Sequence, residues 1–437
     1  MKVAIIGAGA AGCFCAIALK RNLPEADVTV IERGRRPLAK VSITGGGRCN
    51  LTNSFRQISD LRQAYPRGAR LMQRIFRKFS PQDTYEWWEH EGVKLTTQAD
   101  ECVFPQSQNA MEIVNTLLRL MKQLGVRLLT ESTVYSILPL ESEKGDYSII
   151  YGHRQMMEKE TEASNMKDVF DFLHGKRSFA SDFVVITSGG APRPSKLSFL
   201  SPLQLEIIPP VPSLFALNVG DEGLHALSGA VIEKAHVSIA GTKLKAEGPL
   251  LITHFGMSGP AILRLSSYGA RLLAEQAYHA PLLVNWMEGQ NEDEVRQTLM
   301  SYMHSNKQVL NLHPRHLTAR HWAYLLHRAS IPESLRWDAL NTKELNRLTT
   351  TLTADTYPIQ GRCPYKEEFV TCGGVALNNV NPSTLELRSH PHIYLAGEVL
   401  DVDAITGGFN LQAAWSMGYV VAQSISAEIN NEGTSTS

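Results

Sequence analysis

The pattern of apolar and polar positions predicts alternating strands and helices at both ends of the chain. Val3–Ile6 and Val28–Ile31 are short apolar runs typical of buried strands, and the small residues of Ala10–Lys20 favour a helix between them. Near the other end, His392–Glu398 is predicted as a strand. A helix with apolar residues at every third or fourth position follows it. These elements predict an α/β fold.

The same pattern continues toward the middle of the chain. Asn109–Leu124 is predicted as an amphipathic helix, with strands at Val126–Leu129 and Ser132–Ile137. Ser181–Thr187 is predicted as a strand that ends in small residues, which are Ser188, Gly189 and Gly190. The polar stretch Glu158–Lys176 predicts a charged surface helix or loop.

A different pattern occupies the region after residue 200. Short strands are predicted at Leu203–Ile208, Ser213–Val219, Ala230–Ile239 and Lys243–Glu247, with turn residues between them. This spacing predicts an antiparallel β module. Residues 291–352 are helical in pattern, with runs such as Arg320–Ala329 and Leu335–Leu348.

Composition narrows the class of protein. The 437 residues include 43 Lys and Arg and 43 Asp and Glu, so the formal net charge is zero. That balance argues against a general nucleic-acid-binding protein. Six cysteines in a chain of this length exclude a disulfide scaffold. The apolar start, Val3–Leu19, resembles a signal peptide, but its regular glycines favour a strand, a turn and a helix. We therefore expect a cytoplasmic protein without a membrane span.

The first strand and helix are joined by a glycine fingerprint. Gly7, Gly9 and Gly12 have the G-x-G-x-x-G spacing of a dinucleotide-binding turn, in which the helix N-terminus faces a pyrophosphate. Glu32 follows the second strand, where a carboxylate accepts hydrogen bonds from ribose hydroxyls and disfavours a 2′-phosphate. The predicted ligand is FAD or NAD. The neighbouring candidate contacts are Ala10, Ala11 and Arg33.

Two further segments favour FAD over NAD. One is a glycine-rich run that can line the pyrophosphate or the flavin, or form a surface loop; its candidate contacts are Lys40, Thr44, Gly45, Gly46, Gly47, Arg48, Cys49 and Asn50. The other follows the late strand, and its candidates are Gly397, Glu398, Asp401, Gly407, Gly408, Phe409, Asn410 and Leu411. Its glycine pair opens a helix, which is an anion-binding geometry suited to the flavin. Val134 is predicted to contact adenine through its backbone. Contact segments about 390 residues apart suit an extended dinucleotide.

Together these motifs resemble a known family. ITGGGRCNLTN, VFPQS, GPLLITHFGMSGP, TCGGV and LAGEVLDVDAITGGFN are similar to the motifs of the BaiN-like (YhiN-like) FAD-dependent oxidoreductases. The resemblance implies a Rossmann-type FAD domain built from both chain ends (1–195 and 365–437), an inserted antiparallel β domain (196–270 and 350–364) and a nested helical domain (271–349). The chain departs from the family after Gly190, where Ala191–Leu200 is shortened and lacks the expected glycines.

Reactive side chains are less informative. There is no C-x-x-C pair, which argues against a disulfide reductase. There is also no second dinucleotide fingerprint, so NADH or NADPH would bind transiently as electron donor. His254 and Cys49 are weak catalytic candidates, because His254 can simply order its loop and Cys49 can simply pack.

Two clusters of basic residues have ordinary explanations. The histidines of the helical region do not have metal-site spacing, so we predict no metal and a solvated helix face; they are His313, His316, His321 and His327. A basic stripe suits an acidic substrate, RNA or a solvated helix face; its members are Arg67, Arg70, Arg74, Arg77 and Lys78.

The leading hypothesis is an FAD-dependent oxidoreductase. Hydride would pass through flavin N5 to or from a small, hydrophobic, conjugated enone-like substrate. The alternatives are an FAD-dependent tRNA-modifying enzyme and a non-catalytic FAD-binding protein. We expect no stable nucleic-acid partner and no membrane partner, and the sequence leaves the oligomeric state open.

Overall fold

Both ends of the chain belong to one compact unit. The computed structural model describes residues 1–140, 147–153, 176–191, 193–363 and 370–435. Contacts divide the chain into one unit of Met1–Val211 with Val370–Ser437 and a second unit of Pro212–Phe369. The separate helical domain and the finer boundaries stay predictions. The polar stretch at 158–176 lies outside the described residues except for Lys176.

The first part of unit one contains both strands and helices. The strands are β1 (Lys2–Ile6), β2 (Asp27–Ile31), β3 (Thr52–Asn53), β4 (Leu95–Thr97), β5 (Cys102–Pro105), β6 (Arg127–Leu129), β7 (Ser132–Pro139), β8 (Tyr147–His153), β9 (Arg177–Ser181), β10 (Phe183–Ile186) and β11 (Ile207–Ser213). The helices are α1 (Ala10–Asn22), α2 (Ala39–Gly47), α3 (Leu61–Ala64), α4 (Ala69–Ile75), α5 (Pro81–His90) and α6 (Ala110–Gln123).

The second unit and the C-terminal part complete the chain. In the second unit the strands are β12 (Leu217–Val219), β13 (Val231–Ile239), β14 (Lys245–Thr253), β15 (Gly256–Ser258), β16 (His279–Asn285) and β17 (Asp355–Arg362). Its helices are α7 (Glu222–His225), α8 (Pro260–Tyr268), α9 (Ala270–Glu275), α10 (Glu292–Tyr302), α11 (Ala319–Arg328) and α12 (Thr342–Ala354). The first unit resumes with β18 (Val370–Val375), β19 (Ile393–Leu395) and α13 (Phe409–Ser435).

A parallel sheet organises the first unit. Its strand order is β19-β10-β1-β2-β6, and all four neighbouring pairs are parallel. In the register, Ile5 lies opposite Val185, which in turn lies opposite Tyr394. The strands are apolar along most of their length because helices cover parallel sheets on both faces. The predicted strands at Val3–Ile6 and Val28–Ile31 are confirmed, as is the Rossmann-type α/β class.

Helices from the two chain ends pack together in this unit. Gly418 of α13 lies against α1 so closely that a Cβ atom there would be 2.5 Å from the carbonyl oxygen of Ala11. The neighbouring side chains of α1 are buried, including Cys13 and Cys15, and burial raises the pKa of both thiols. These two cysteines therefore pack in the core of the unit. Three smaller sheets, β3-β5-β4, β7-β8-β9 and β11-β18, complete the unit.

The second unit is built on a closed antiparallel barrel. The strand order is β12-β15-β14-β13-β16-β17. A core of apolar side chains continues from the barrel into the helices around it and includes the fully buried Trp286, Trp322 and Trp337. The antiparallel module predicted for this region is therefore confirmed.

A buried ionic network ties helices to this barrel. The carboxylate of Asp355 accepts hydrogen bonds from Trp286 Nε1 at 3.1 Å, from the Tyr357 hydroxyl at 2.5 Å and from Arg328 Nε at 2.8 Å. Arg328 also pairs with Asp221 at 3.0 Å. Because its partners satisfy the buried carboxylate, the network can fix α11 against β17.

Several local predictions for this part of the chain were wrong. Residues Pro194–Leu203 form a 3₁₀ helix, so the strand predicted at Leu203–Ile208 begins only at Ile207, after this helix has ended. The predicted helical run from Leu335 contains a 3₁₀ turn, and α12 begins after Asn341, whose side chain caps it. Among the described residues, no helix combines the length and the apolar character that crossing a membrane requires.

Candidate cofactor site

The parallel sheet brings three predicted segments to one edge. β1, β10 and β19 are neighbours and run in the same direction, so their carboxyl ends meet. Gly7 follows β1, Gly190 follows β10 by a few residues, and Glu398 follows β19. Ligands of open α/β sheets bind at this edge. The tertiary structure therefore assembles one candidate site from residues almost 400 positions apart.

The three fingerprint glycines have different surroundings. A Cβ atom on Gly7 would be 2.4 Å from the carbonyl oxygen of Thr187, and one on Gly12 would be 2.0 Å from the carbonyl oxygen of Gly7. These two positions are closed by the protein's own backbone. At Gly9 nothing lies within 4 Å of the Cβ position. Gly9 therefore borders open space, as expected where a pyrophosphate approaches the chain.

The N-terminus of α1 also faces this open space. Gly9 is the N-cap residue, and no side chain of the described residues caps the helix there. The backbone N–H groups at Ala10 and Ala11 belong to the first turn, where N–H groups have no carbonyl partner within a helix. An uncapped helix N-terminus next to a glycine turn is suited to an anion.

Glu32 anchors the turn after β2. Its Oε2 accepts a hydrogen bond from the Ala8 N–H at 2.9 Å, and its Oε1 accepts one from the Gly34 N–H at 2.6 Å. An ionised carboxylate has about four acceptor positions, so capacity for ribose hydroxyls remains. β7 starts beside this turn, because the Ser132 N–H donates to the Glu32 carbonyl at 2.9 Å. Val134 follows two residues later, and Arg33 is exposed.

The glycine-rich segment interrupts α2. Thr44, Gly45 and Gly46 leave helical geometry, and both glycines have left-handed φ angles of 59° and 67°. Nothing lies within 4 Å of the Cβ position of Gly46 or Gly47. The glycines thus hold backbone next to open space in a conformation that other residues rarely adopt. Such a segment is suited to close contact with a planar or charged group.

Arg48 and Cys49 follow the glycines and face different surroundings. Arg48 Nε donates to the carbonyl oxygen of Gly45 at 3.0 Å, and its guanidinium lies 4.5 Å from the ring centre of Phe104. Cys49 is completely buried, and burial raises the pKa of its thiol to about 12. A neutral thiol is a poor nucleophile, so these surroundings favour packing for Cys49. The next residue, Asn50, is half-buried.

A carboxylate from the late strand closes another side of the edge. Glu398 Oε1 accepts a hydrogen bond from the Thr371 N–H at 2.7 Å, and Glu398 Oε2 pairs with Lys40 Nζ at 3.0 Å. A Cβ atom on Gly190 would be 2.3 Å from Glu398 Oε1, so a side chain there would displace this carboxylate. Two residues predicted as separate cofactor contacts, Lys40 and Glu398, therefore contact each other.

The other residues predicted to follow β10 and β19 have varied surroundings. Ser188 is exposed and Gly189 has a left-handed φ of 71° with open space at its Cβ position. Asp401 Oδ1 accepts a hydrogen bond from the Gly373 N–H at 3.0 Å. Gly397 lies close to α1, since its Cβ position is 3.3 Å from the Ala11 side chain. Asp401 thus orients β18.

The glycine pair before α13 contacts β3, which follows the glycine-rich segment. Asn53 Nδ2 donates to the carbonyl oxygen of Gly407 at 3.1 Å, and a Cβ atom on Gly408 would be 2.2 Å from the carbonyl oxygen of Thr52. Asn410 holds the loop before α13 through two hydrogen bonds. Its Oδ1 accepts from the Ala404 N–H at 2.9 Å, and its Nδ2 donates to the Ala404 carbonyl at 3.0 Å. Two motifs separated by more than 350 residues therefore form one surface.

Buried aromatic side chains pack around the first residue of α13. Phe409 is buried, and its ring centre lies 5.0 Å from that of Phe55 and 6.2 Å from that of Tyr65. The Tyr65 hydroxyl donates to the carbonyl oxygen of Phe409 at 2.8 Å. The Phe409 side chain is thus part of the core, whereas Leu411 is half-buried in the first turn of α13.

Sequence reasoning did not single out several residues that build the site. Thr371 and Tyr65 hydrogen-bond to Glu398 and Phe409, and Gln412 Nε2 donates to Thr84 Oγ1 and to Ser416 Oγ, both at 2.8 Å. These partners are distant in sequence except for Ser416. No local pattern identifies them, although Thr371 lies within the TCGGV motif.

The basic stripe is divided in the structure. Arg67 forms a buried ion pair with Asp403, which precedes α13. The other four residues are exposed; they are Arg70, Arg74, Arg77 and Lys78. The expectation of a single solvated face is therefore wrong for Arg67, because that residue holds the loop before α13.

His254 lies in the second unit, at the turn between β14 and β15. Its side chain is exposed, and its ring lies against Phe255 with the ring centres 5.0 Å apart. The nearby glycines pack against the barrel: a Cβ atom on Gly256 would be 2.3 Å from the Leu217 carbonyl, and one on Gly259 would be 2.8 Å from the Pro249 carbonyl. These glycines serve barrel packing, and the role of His254 stays a prediction.

The predicted histidine face is only partly solvated. His316 and His327 are exposed, but His321 is buried, so the expectation was wrong for that residue. Burial lowers the pKa of His321 to about 4. Among the described residues, no group of three or more His, Cys, Asp or Glu side chains has an arrangement that could hold a metal ion.

The residues present at the sheet edge fit FAD. Open space adjoins Gly9, Gly46 and Gly47, where a side chain would obstruct a ligand. The uncapped start of α1 suits the pyrophosphate, and Glu32 suits a ribose. Bound FAD would thus be held along the carboxyl edge of the sheet by this chain's own turns.

Comparison with known proteins agrees with this geometry. The family model of the HI0933-like protein Rossmann domain matches residues 1–424. The chain is 26% identical over 430 residues to the 3-dehydro-bile acid delta(4,6)-reductase of Clostridium scindens, covering 97% of this chain and 98% of the reductase. It is 27% identical over 442 residues to the ribosomal RNA dihydrouridine synthase of Escherichia coli, covering 97% of each chain.

Two solved structures match the chain at lower sequence identity. A flavocytochrome c3 fumarate reductase in its open conformation has a TM-score of 0.46 at 13% identity, covering 98% of this chain and 78% of that chain. The quinol fumarate reductase of E. coli has a TM-score of 0.49 at 14% identity, covering 98% of this chain and 70% of that chain. The family match over residues 1–424 includes every segment of the sheet-edge site. The chain therefore belongs to the HI0933-like Rossmann family, and it is an FAD-dependent oxidoreductase of the BaiN-like type.

Proposed function

We propose that the protein reduces a carbon–carbon double bond conjugated to a carbonyl group, with NADH or NADPH as a transient electron donor. FAD, when bound, supplies the hydride chemistry. The observation that carries the proposal is the contact between β3, which follows the glycine-rich segment, and the loop before α13, where Asn53 Nδ2 donates to the Gly407 carbonyl at 3.1 Å. This contact joins the two segments that suit the flavin ring.

The names of two relatives support the reaction class. A 3-dehydro delta(4,6) bile acid has double bonds conjugated to a ketone, and dihydrouridine is uridine whose conjugated double bond has been saturated. Each reaction adds a hydride to one carbon and a proton to the other. The first substrate class for this chain is accordingly a small, hydrophobic enone.

The chain's own residues provide binding and electrostatics for this reaction. The N-terminus of α13 carries a partial positive charge, which favours the negative charge that a flavin acquires on reduction. Arg48 remains near the glycines through its bond to the Gly45 carbonyl. The cysteines are all buried, and a buried thiol is a poor nucleophile, so a thiol relay is disfavoured. His254 is the candidate proton donor.

A second substrate class is a uracil ring within RNA. It is favoured by three exposed arginines on and after α4, which are Arg70, Arg74 and Arg77. Uracil contains a double bond conjugated to a carbonyl, so the same chemistry applies. The prediction of no stable nucleic-acid partner came from net charge alone, which does not describe a local surface.

Anaerobic spectroscopy tests the proposal. The purified protein should be yellow, NADH or NADPH should bleach the flavin bands, and an enone or a uridine-containing RNA should restore them. A matched His254→Gln variant should bleach at the wild-type rate and be slow only in the second half-reaction. A colourless protein that cannot take up FAD, or a reduced flavin that no conjugated acceptor reoxidises, would contradict the proposal.

A further inference from the structure

Charge is distributed unevenly along this neutral chain. Residues 33–78 contain twelve Lys and Arg and a single acidic residue, Asp60, which gives this segment a formal net charge of +11. The other 391 residues contain 31 basic and 42 acidic residues, a net charge of −11. The overall balance of zero therefore hides one strongly basic segment of 46 residues.

The structure displays nearly all of these cations on the surface of the first unit. All except Arg67 are exposed; they are Arg33, Arg35, Arg36, Lys40, Arg48, Arg56, Arg62, Arg70, Arg74, Arg77 and Lys78. Among the described residues, three cations of the segment have carboxylate partners: Lys40 with Glu398, Arg62 with Asp60 and Arg67 with Asp403. The other nine have no carboxylate partner within the described part of the chain.

This basic segment adjoins the cofactor edge. Lys40 contacts Glu398, Arg48 contacts the glycine turn, and Arg67 contacts Asp403 before α13. Lys78 Nζ donates to the carbonyl oxygen of Ser383 at 2.8 Å. The segment therefore borders residues 383–403 as well as containing one of the cofactor motifs.

Helix α4 presents the densest part of this surface. Leu71, Met72 and Ile75 are buried, whereas Arg70 and Arg74 lie one turn apart on the solvent side. Arg77 extends the same row by three residues. Like charges one turn apart destabilise a helix. A row of cations that lacks carboxylate partners is explained by a polyanionic partner that neutralises it.

We propose that the exposed cations of residues 33–78 form a docking surface for the phosphodiester backbone of RNA beside the flavin site. Phosphate contacts by Arg and Lys position RNA without reading its sequence, which leaves base selection to the site itself. The inference rests on the proposed function in one respect: the reaction that would follow docking is the one proposed above. Docking itself requires charge and geometry alone.

The test is the salt dependence of RNA binding by the full-length, FAD-loaded protein. A fluorescently labelled single-stranded uridine-containing RNA is titrated at several salt concentrations. Arg70→Gln/Arg74→Gln/Arg77→Gln should weaken binding at least tenfold at low salt. Since each phosphate contact contributes about 0.7 to the slope of log K against log salt for single strands, the slope should fall by about 2.

A matched triple variant provides the control. Lys234→Gln/Lys243→Gln/Lys245→Gln removes three exposed lysines from the barrel unit and should leave RNA affinity and its slope unchanged. Equal weakening by both triple variants, binding that does not change with salt, or preference for acidic phosphatidylglycerol vesicles over RNA would overturn the docking surface.

Failure of docking is distinguishable from failure of the proposed reaction. The arginine variant should retain its FAD content and its bleaching by NADH or NADPH, because none of the three side chains contacts the candidate site. If wild-type protein binds RNA in a salt-dependent manner but no conjugated acceptor reoxidises its flavin, the reaction is refuted and the docking surface stands.

Discussion

Arg67 and Asp403 form a buried ion pair that connects residues 336 positions apart in sequence. Arg67 Nε lies 2.5 Å from Asp403 Oδ1, and the side chains are 12% and 0% exposed. The pair attaches the loop before α13 to the segment that precedes α4. Because a buried charge without its partner is costly, this pair determines where the start of α13 lies.

Removing one member of this pair should destabilise the protein. Asp403→Asn leaves the Arg67 guanidinium buried without a counter-charge, so the free energy of unfolding should fall by about 3–5 kcal/mol. Denaturant unfolding measures this loss. Asp60→Asn, which breaks the exposed pair with Arg62, is the control and should have little effect. Equal effects of the two variants would contradict the role assigned to burial.

Two glycine substitutions should separate cofactor binding from folding. Gly9 has an ordinary φ of −88° and open space at its Cβ position, so Gly9→Ala should fold normally yet lose much of its FAD affinity. Gly12→Ala forces a methyl group within 2.0 Å of the Gly7 carbonyl oxygen and should cost about 1–3 kcal/mol or more. Flavin content and apoprotein unfolding measure the two effects. FAD binding by Gly9→Ala at wild-type affinity would remove the pyrophosphate from this turn.

Because His321 is buried, we expect the stability of the second unit to fall in acid. Its pKa falls from 6.5 to about 4 on burial, and its Nε2 has no hydrogen-bond partner among the described residues. Above about pH 6.5 the imidazole is neutral in both the folded and the unfolded state, so it causes no loss of stability. As the pH falls toward 4, the unfolded state gains a proton first and stability is lost, by about 3 kcal/mol in total.

Replacing this imidazole should reduce the acid sensitivity. His321→Phe keeps a ring next to Trp286, whose ring centre lies 4.6 Å away, and removes the titrating group. Unfolding measured between pH 4 and 7 should therefore show a shallower loss of stability. His327→Phe, at an exposed position of α11, should retain the wild-type slope. An unchanged slope in His321→Phe would assign the acid sensitivity elsewhere.

Cys49 should behave as a packing residue despite its place in the cofactor motif. Burial holds the pKa of its thiol at about 12, so iodoacetamide at neutral pH should label it only after unfolding. Cys49→Ala should reduce flavin turnover no more than Cys15→Ala does, since both side chains are completely buried. Mass spectrometry and turnover assays measure these properties. A hundredfold loss confined to Cys49→Ala with normal FAD content would assign it a catalytic role.

Much of the candidate site could be predicted from local patterns. The spacing of Gly7, Gly9 and Gly12 predicted the turn between β1 and α1, where Gly12 packs against the nearby Gly7 carbonyl and Gly9 borders open space. The strand at Val28–Ile31 placed Glu32 at the sheet edge, and the structure retains it there. The strand predicted at Leu203–Ile208 was wrong at its start, because Leu203 ends a 3₁₀ helix and pairing begins only at Ile207.

The sequence alone determined the types of most elements, the α/β class and the positions of the glycine turns, since these depend on neighbours along the chain. Only the tertiary structure decided that Lys40 pairs with Glu398, that Arg67 leaves the basic stripe to pair with Asp403, and that Asn53 contacts Gly407. These contacts join residues more than 300 positions apart. Their partners are set by how the two chain ends pack together, which no local pattern of apolar and polar residues encodes.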